Sequence, residues 1–189
     1  LLFSNHNFQD DVDDKYKVLA RWAGKPIHGA LVVLEDSPFK TLSDLQGRAV
    51  AFPSSEAFVA YAVPMVALKE AGITVNPLFA GNQDGAVAQL KARQVAAAAV
   101  NTRFLEKYAE REHLRYRTIY RSEPYQEMPI LIHPRVSSDQ ATALRRALVG
   151  MKEDPTAAEA LKAAQCGGFE TAFESDYDNI RSTYRAIPQ

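Results

Sequence analysis

Between Arg48 and Tyr120 the chain alternates short apolar runs with helix-length amphipathic segments, and this alternation restricts the fold more than any other feature. The apolar runs are 48–52, Pro77-Leu78-Phe79-Ala80, Val95 to Val100 and Tyr116 to Tyr120; the helical segments are 55–71, 82–93 and 102–111. The order β-α-β-α-β-α-β predicts a parallel sheet with helices on both faces, because parallel neighbours need a crossover and the crossover helices then cover the sheet. The run Val95 to Val100 is alanine-rich, which favours helix by propensity alone. Its shortness and its place between two helices predict instead a strand buried on both faces, where small side chains let helices pack closely. Ligands of such sheets bind beyond the carboxyl ends of the strands. The loops that begin at Pro53, Gly81, Asn101 and Ser122 are therefore expected to gather at one edge.

The flanking regions are less regular. A strand is expected over Tyr16 to Arg21, a turn at Gly24-Lys25-Pro26, and a buried strand at Ala30-Leu31-Val32-Val33-Leu34, broken by Asp36-Ser37-Pro38. Thr41 to Leu45 reads as one helical turn capped by Thr41 and closed by Gly47. After Ser122 the segment Glu123 to Pro129 is stiff and extended, since each proline biases its predecessor away from helix. Ile130 to Ile132 is a further strand, and helices are expected over about 138–151, 155–165 and 176–186. Residues 1–17 carry no strong element. Their aspartates Asp10, Asp11, Asp13 and Asp14 lack the glycine and terminal glutamate of an EF-hand loop, so a solvated loop is expected there rather than a calcium site.

Composition removes several functional classes. With 22 Lys and Arg against 23 Asp and Glu, no net field favours nucleic acid or an anionic membrane, and a charged ligand must be met locally. One cysteine, Cys166, excludes an internal disulfide and a cysteine-built metal cluster, and beside Gly167-Gly168 it reads as packing. His6, His113 and His133 fall at no metal-ligand spacing. No nucleophile elbow, Walker loop or dinucleotide fingerprint is present, so neither a catalytic residue nor a cofactor is expected. No apolar run reaches about 18 residues. A basic region followed by an apolar core is missing at the N-terminus, so a secretion signal is not part of this sequence.

The loop after Phe52 offers the most chemistry. Val50 and Phe52 form the strand, Pro53 ends it, and Ser54 and Ser55 stand where a helix N-cap belongs. Free N–H groups and the positive end of the helix would point into the loop. Ser54 and Ser55 either donate to an anion or simply cap the helix. Asn101, at the carboxyl end of the alanine-rich strand, belongs either to the same edge or to a cap beside Thr102.

The order of motifs resembles the phosphonate-type periplasmic solute-binding proteins of ABC transporters, two-lobed binders of the type II fold. The resemblance rests on Ser37-Pro38 and Leu42 to Arg48, on Leu68-Lys69-Glu70-Ala71-Gly72-Ile73, and on Asn82-Gln83-Asp84-Gly85-Ala86-Val87. It continues through Pro124 to Pro129, Met151 to Pro155, Phe169 and Asp176-Tyr177-Asp178. It implies an α/β fold of two lobes, with mainly parallel sheets flanked by helices and a hinge of two crossovers. Residues 1–33 and 128–189 would form the first lobe with the hinge, and 34–127 the second. Family members begin with a further βαβ segment, so the resemblance implies a first lobe lacking part of its N-terminal side. A second departure is chemical: the family's hydroxyl-rich phosphonate loop is replaced here by Ala57-Phe58-Val59-Ala60.

By this resemblance, Gln83 stands where relatives carry a histidine before aspartate, and Tyr125 and Glu127 lie in the crossover where an acidic ligand contact is placed. His28 falls near the other crossover. Phe58 and Tyr61 are apolar walls of a ligand site or members of the core; Gln83 equally fits an exposed first turn, Glu127 a surface pair, and His28 a structural role. The resemblance implies a monomeric periplasmic component that binds a small anionic solute, phosphonate-like or another oxyanion, between its lobes and delivers it to an ABC permease, with no nucleic acid partner. The same fold also serves as the sensing domain of signalling receptors and, less often, as an enzyme.

Overall fold

The computed structural model describes residues 2–3, 16–164 and 166–187. The aspartates at 10–14 and His6 lie outside them. The chain divides into two compact units, Leu1–Pro26 with Gln126–Arg181, and Ile27–Tyr125 with Ser182–Gln189.

The first unit is built on a four-stranded sheet of order β1-β8-β2-β9, antiparallel at every pairing. Its strands are β1 (Leu2–Phe3), β2 (Lys17–Trp22), β8 (Pro129–Ile132) and β9 (Phe169–Thr171). Val18, Leu19 and Ala20 of β2 and Ile130, Leu131 and Ile132 of β8 are buried, together with Ala172, Tyr177 and Ile180. Helices α4 (Ser138–Gly150) and α5 (Ala158–Ala163) belong to this unit, and α4 opens on a capping box between Ser137 and Gln140. The Arg145 guanidinium donates to the Leu19 carbonyl at 2.8 Å, and Arg21 pairs with Glu170 and Asp176.

The second unit contains a five-stranded sheet of order β5-β4-β6-β3-β7. Strands β4 (Ala49–Phe52), β5 (Asn76–Phe79), β6 (Ala97–Asn101) and β7 (Tyr116–Arg121) are the four read from the alternation. β4 pairs in parallel with β5 and β6, as that alternation requires. β3 (Gly29–Leu34) is inserted between β6 and β7 and runs against both. The alanine-rich β6 thus occupies the centre of the sheet, with Ala97, Ala98, Ala99 and Val100 fully buried. Alternate residues feed two cores. Ala30, Val32, Ala98 and Val100 meet Val87 and Leu90 of α2 (Gln83–Lys91) and Leu105 and Tyr108 of α3 (Thr102–Glu112). Leu31, Val33, Ala97 and Ala99 face Phe52, Leu45 and Leu68, the last from α1 (Val63–Glu70). The helix α6 (Asp178–Ala186) closes the chain.

These units differ from the lobe boundaries expected from sequence. Residues 27–33 belong with the five-stranded sheet, because β3 finds hydrogen-bonding partners on both its edges there. Residues 182–187 group with it too, whereas Gln126 and Glu127 group with the first unit. Among the described residues no helix is long and apolar enough to cross a membrane.

Candidate ligand-binding site

The carboxyl edge of the five-stranded sheet brings the sequence candidates together through the backbone. The helix after β4 begins later than expected. Ser54 accepts from the Ala57 N–H in a tight turn at 3.3 Å, so Ala57 takes the N-cap position with no side-chain cap. The serines therefore do not cap the helix, and the Ser55 hydroxyl instead reaches the Glu56 carboxylate at 3.4 Å. The first helical turn, Phe58–Ala62, is a π turn, with Ala62 N–H donating to Ala57 O at 3.1 Å before α1 continues it. An i→i+5 start leaves one more leading N–H without an intrahelical acceptor than an α start does. Val59, Ala60 and Tyr61 thus present backbone donors at the start of this helix.

Gly29 fixes this turn against the sheet. A Cβ built on Gly29 would lie 1.9 Å from the Val59 carbonyl oxygen, so only glycine allows the approach. Ser122, at the end of β7, locks the same corner. Its hydroxyl accepts from Gly29 N–H at 2.9 Å and donates to the Glu123 carbonyl at 2.7 Å, and its own N–H donates to Gly29 O at 2.9 Å.

His28 lies beside it, half-buried. Its Nδ1 is 2.9 Å from the Ser122 carbonyl oxygen. A carbonyl can only accept, so Nδ1 carries the proton and Nε2 is left with the lone pair in the neutral ring. The His28 carbonyl accepts from Thr102 N–H at 3.0 Å. Gln83 is oriented by the same logic: its Oε1 accepts from Asn101 N–H at 2.7 Å, which leaves its Nε2 as an uncommitted donor. Asn101 caps α3 by accepting from Arg103 N–H at 2.9 Å, and its Nδ2 is likewise uncommitted. Gly29 pairs with Asn101 across the ladder, so His28 and Asn101 stand on neighbouring backbone, and Gln83 is tied to Asn101 by its hydrogen bond.

The aromatic candidates pack against other rings. Phe58 is buried and meets Tyr125 edge-on at 4.8 Å and Tyr184 at 5.2 Å. Tyr125 bridges to Ile27 through paired backbone hydrogen bonds of 2.8 and 2.9 Å, and its hydroxyl lies 3.4 Å from Thr183 Oγ1. Tyr61 packs between Phe52 and Phe79 at 5.2 and 5.4 Å, at the margin of one core. Burial pushes the Tyr120 hydroxyl up to about 12, with Tyr125, Glu70 and Glu123 adding to the shift. It moves the Tyr184 hydroxyl upward as well, Glu56 contributing. Both phenols stay neutral at ordinary pH.

Glu127 belongs to the first unit. It is buried, its carbonyl accepts from the Tyr177 hydroxyl at 2.7 Å, and its carboxylate packs against the Gly24 backbone. Residues that sequence reasoning missed are Gly29, Ser122 and Tyr184. A glycine opening an apolar strand was the available signal for the first. The role of Tyr184 depends on where the chain end packs, which local pattern does not carry. Among the described residues no cluster of His, Cys, Asp and Glu is arranged to hold a metal ion.

Residues 2–177 match the family described as ABC transporter, phosphonate, periplasmic substrate-binding protein. The chain belongs to that family. Compared by sequence with curated proteins, the chain has no match. Solved structures share its fold at low identity. XAC2383 from Xanthomonas citri, solved bound to ATP, superposes with a TM-score of 0.78 at 18% identity, over 94% of this chain and 72% of that one. PhnD1 from Prochlorococcus marinus in complex with methylphosphonate gives 0.71 at 16% identity, over 90% and 71%. The aliphatic sulphonate binding protein SsuA from Escherichia coli gives 0.60 at 19% identity, over 92% and 56%. These likenesses establish the type II periplasmic-binding-protein fold. The phosphonate-binding family is one of substrate-binding transport components rather than of enzymes.

Proposed function

We propose that this chain is the extracytoplasmic solute-binding component of an ABC transporter and takes a small oxyanion, phosphonate-like or sulphonate-like, at the carboxyl edge of its five-stranded sheet. The observation that carries this reading is the set of uncommitted donors there. Gln83 Nε2, Asn101 Nδ2 and the N–H groups of the π turn all have their orientation settled by a backbone contact, and all can give hydrogen bonds to an anion. Donors fixed in advance bind an oxyanion without the cost of ordering them. Family membership and the methylphosphonate and sulphonate relatives support the ligand class.

On this reading the two compact units are the two lobes, and Phe58 and Tyr125 flank the bound solute. A permease recognises the liganded form, since a ligand shifts a conformational equilibrium only by its differential affinity for the two states. Titration calorimetry with methylphosphonate, methanesulfonate and inorganic phosphate tests the proposal. At least one should bind, and Gln83→Ala and Asn101→Ala should each weaken it about tenfold or more, the loss expected for a hydrogen bond to a charged group. Unchanged affinity in both variants, with native circular dichroism, refutes the residue assignment; no heat with any of the three refutes the oxyanion.

A further inference from the structure

We propose that His28 is the proton-bearing contact of this site, so that the bound complex holds one proton between His28 Nε2 and an oxygen of the oxyanion. The inference rests on the oxyanion reading above and adds to it a requirement on the ligand's protonation. Nδ1 is committed to the Ser122 carbonyl, which holds the ring and fixes its tautomer. Among the described residues Nε2 has no partner, and the same is true of Gln83 Nε2 and Asn101 Nδ2 nearby. The two amides are donors in every state. Only the imidazole changes role, accepting a proton when neutral and donating one when charged.

Two complexes therefore satisfy every group: a charged His28 donating to a fully ionised oxygen, or a neutral His28 accepting from a singly protonated oxyanion. They contain the same number of protons. An alkylphosphonate can supply that proton itself near neutrality, whereas a sulfonate has none to give and requires the imidazolium. The other charged or titratable groups on elements packed against His28 are Arg103 in the first turn of α3, Arg121, Glu123 and Tyr125 around Ser122, and Glu56 ahead of the π turn. They act alike on both ligands and leave the contrast between them.

The test is calorimetry on the whole chain with methanesulfonate and methylphosphonate from pH 5.5 to 8. Methanesulfonate affinity should fall as the pH rises across that range, because the sulfonate has no proton of its own to supply. Methylphosphonate, which brings its own proton, should hold its affinity to higher pH than methanesulfonate does. His28→Asn keeps a donor for the Ser122 carbonyl and removes the titration, so the methanesulfonate profile should flatten. Independently, the ring resonance of His28, assigned by its disappearance in His28→Asn, should titrate at higher pH once methanesulfonate is bound. Binding of both ligands with one shared pH profile, or an unmoved His28 titration in the sulfonate complex, overturns the proton assignment and leaves the oxyanion reading standing. Absence of binding by either ligand at every pH overturns both.

Discussion

Replacing Gly29 with alanine should strike fold and site together. The added Cβ would sit 1.9 Å from Val59 O and 2.9 Å from Val59 C, where contacts below 3.0 Å are essentially never seen. The obstacle is backbone, held in a helix turn on one side and in a central strand on the other, so no rotamer change relieves it. β3 and the π turn must separate by at least 1.1 Å to restore the 3.0 Å limit. Inserting a methyl group into packed structure costs about 1–3 kcal/mol. The upper end applies here, because the same movement strains the Gly29–Ser122 hydrogen bonds of 2.9 Å. With a urea slope of about 1–3 kcal/mol/M, a loss of about 3 kcal/mol lowers the unfolding midpoint by about 1–3 M. Gly47→Ala is the control. Gly47 has φ +67 and open space around its Cβ position, so only the left-handed backbone is penalised, by about 1 kcal/mol. In whatever fraction of Gly29→Ala folds, the displaced π turn should also weaken oxyanion binding. A midpoint for Gly29→Ala equal to or above that of Gly47→Ala would refute the close-contact argument.

Two further outcomes bear on stability. Tyr177→Phe removes the 2.7 Å hydrogen bond to the Glu127 carbonyl and leaves that acceptor in a buried setting; thermal or urea unfolding should show a loss of about 1–2 kcal/mol with circular dichroism unchanged. The Asp44 carboxyl is held below its ordinary value by the Lys40 and Thr41 N–H groups and then the Thr41 hydroxyl, so its contribution is present above the unfolded value near ~3.9 and is lost as pH falls through the lower folded value. The difference between the unfolding midpoints at pH 6 and pH 3 should accordingly be smaller in Asp44→Asn than in the wild type, and an identical acid profile in the variant would contradict that origin.

The β-α alternation was legible because each strand and helix in the second unit follows from local periodicity and from breakers such as Pro53 and Gly72. The central position of β6 was legible as well: a short run of alanines between two helices suits only a strand covered on both faces. The antiparallel insertion of β3 was not. Its sequence, Ala30 to Leu34, reads as buried but carries no sign of which sheet receives it, and that choice moved residues 27–33 from one unit to the other. β9 is three residues long and, among the described residues, pairs with β2 alone, so local pattern could not announce it. At the site, Asn101 could be named from its position at a loop start and Gln83 from the resemblance to the family. Their use of one polar atom each to hold the backbone, which decides what remains for a ligand, is a tertiary fact.

The serines show how a correct location can hide a wrong mechanism. Ser54 and Ser55 follow a strand and precede an apolar run, the ordinary setting for a helix cap. Yet the Ser54 carbonyl is taken by a turn of its own, and helical geometry waits until Phe58. With alanine at the N-cap no hydroxyl competes for the leading N–H groups, and the π turn adds one more such group. A capped helix would have spent part of that donor set on its own side chain. An uncapped one, pinned from behind by Gly29 and Ser122, keeps it for whatever enters the loop. On the proposed reading, Ala57-Phe58-Val59-Ala60 would leave anion recognition to the backbone and to His28, Gln83 and Asn101, with Phe58 as an apolar wall beside them. Such a site is expected to tolerate a change of central atom from phosphorus to sulfur more readily than a ring of hydroxyls would, and to discriminate between the two by protonation instead.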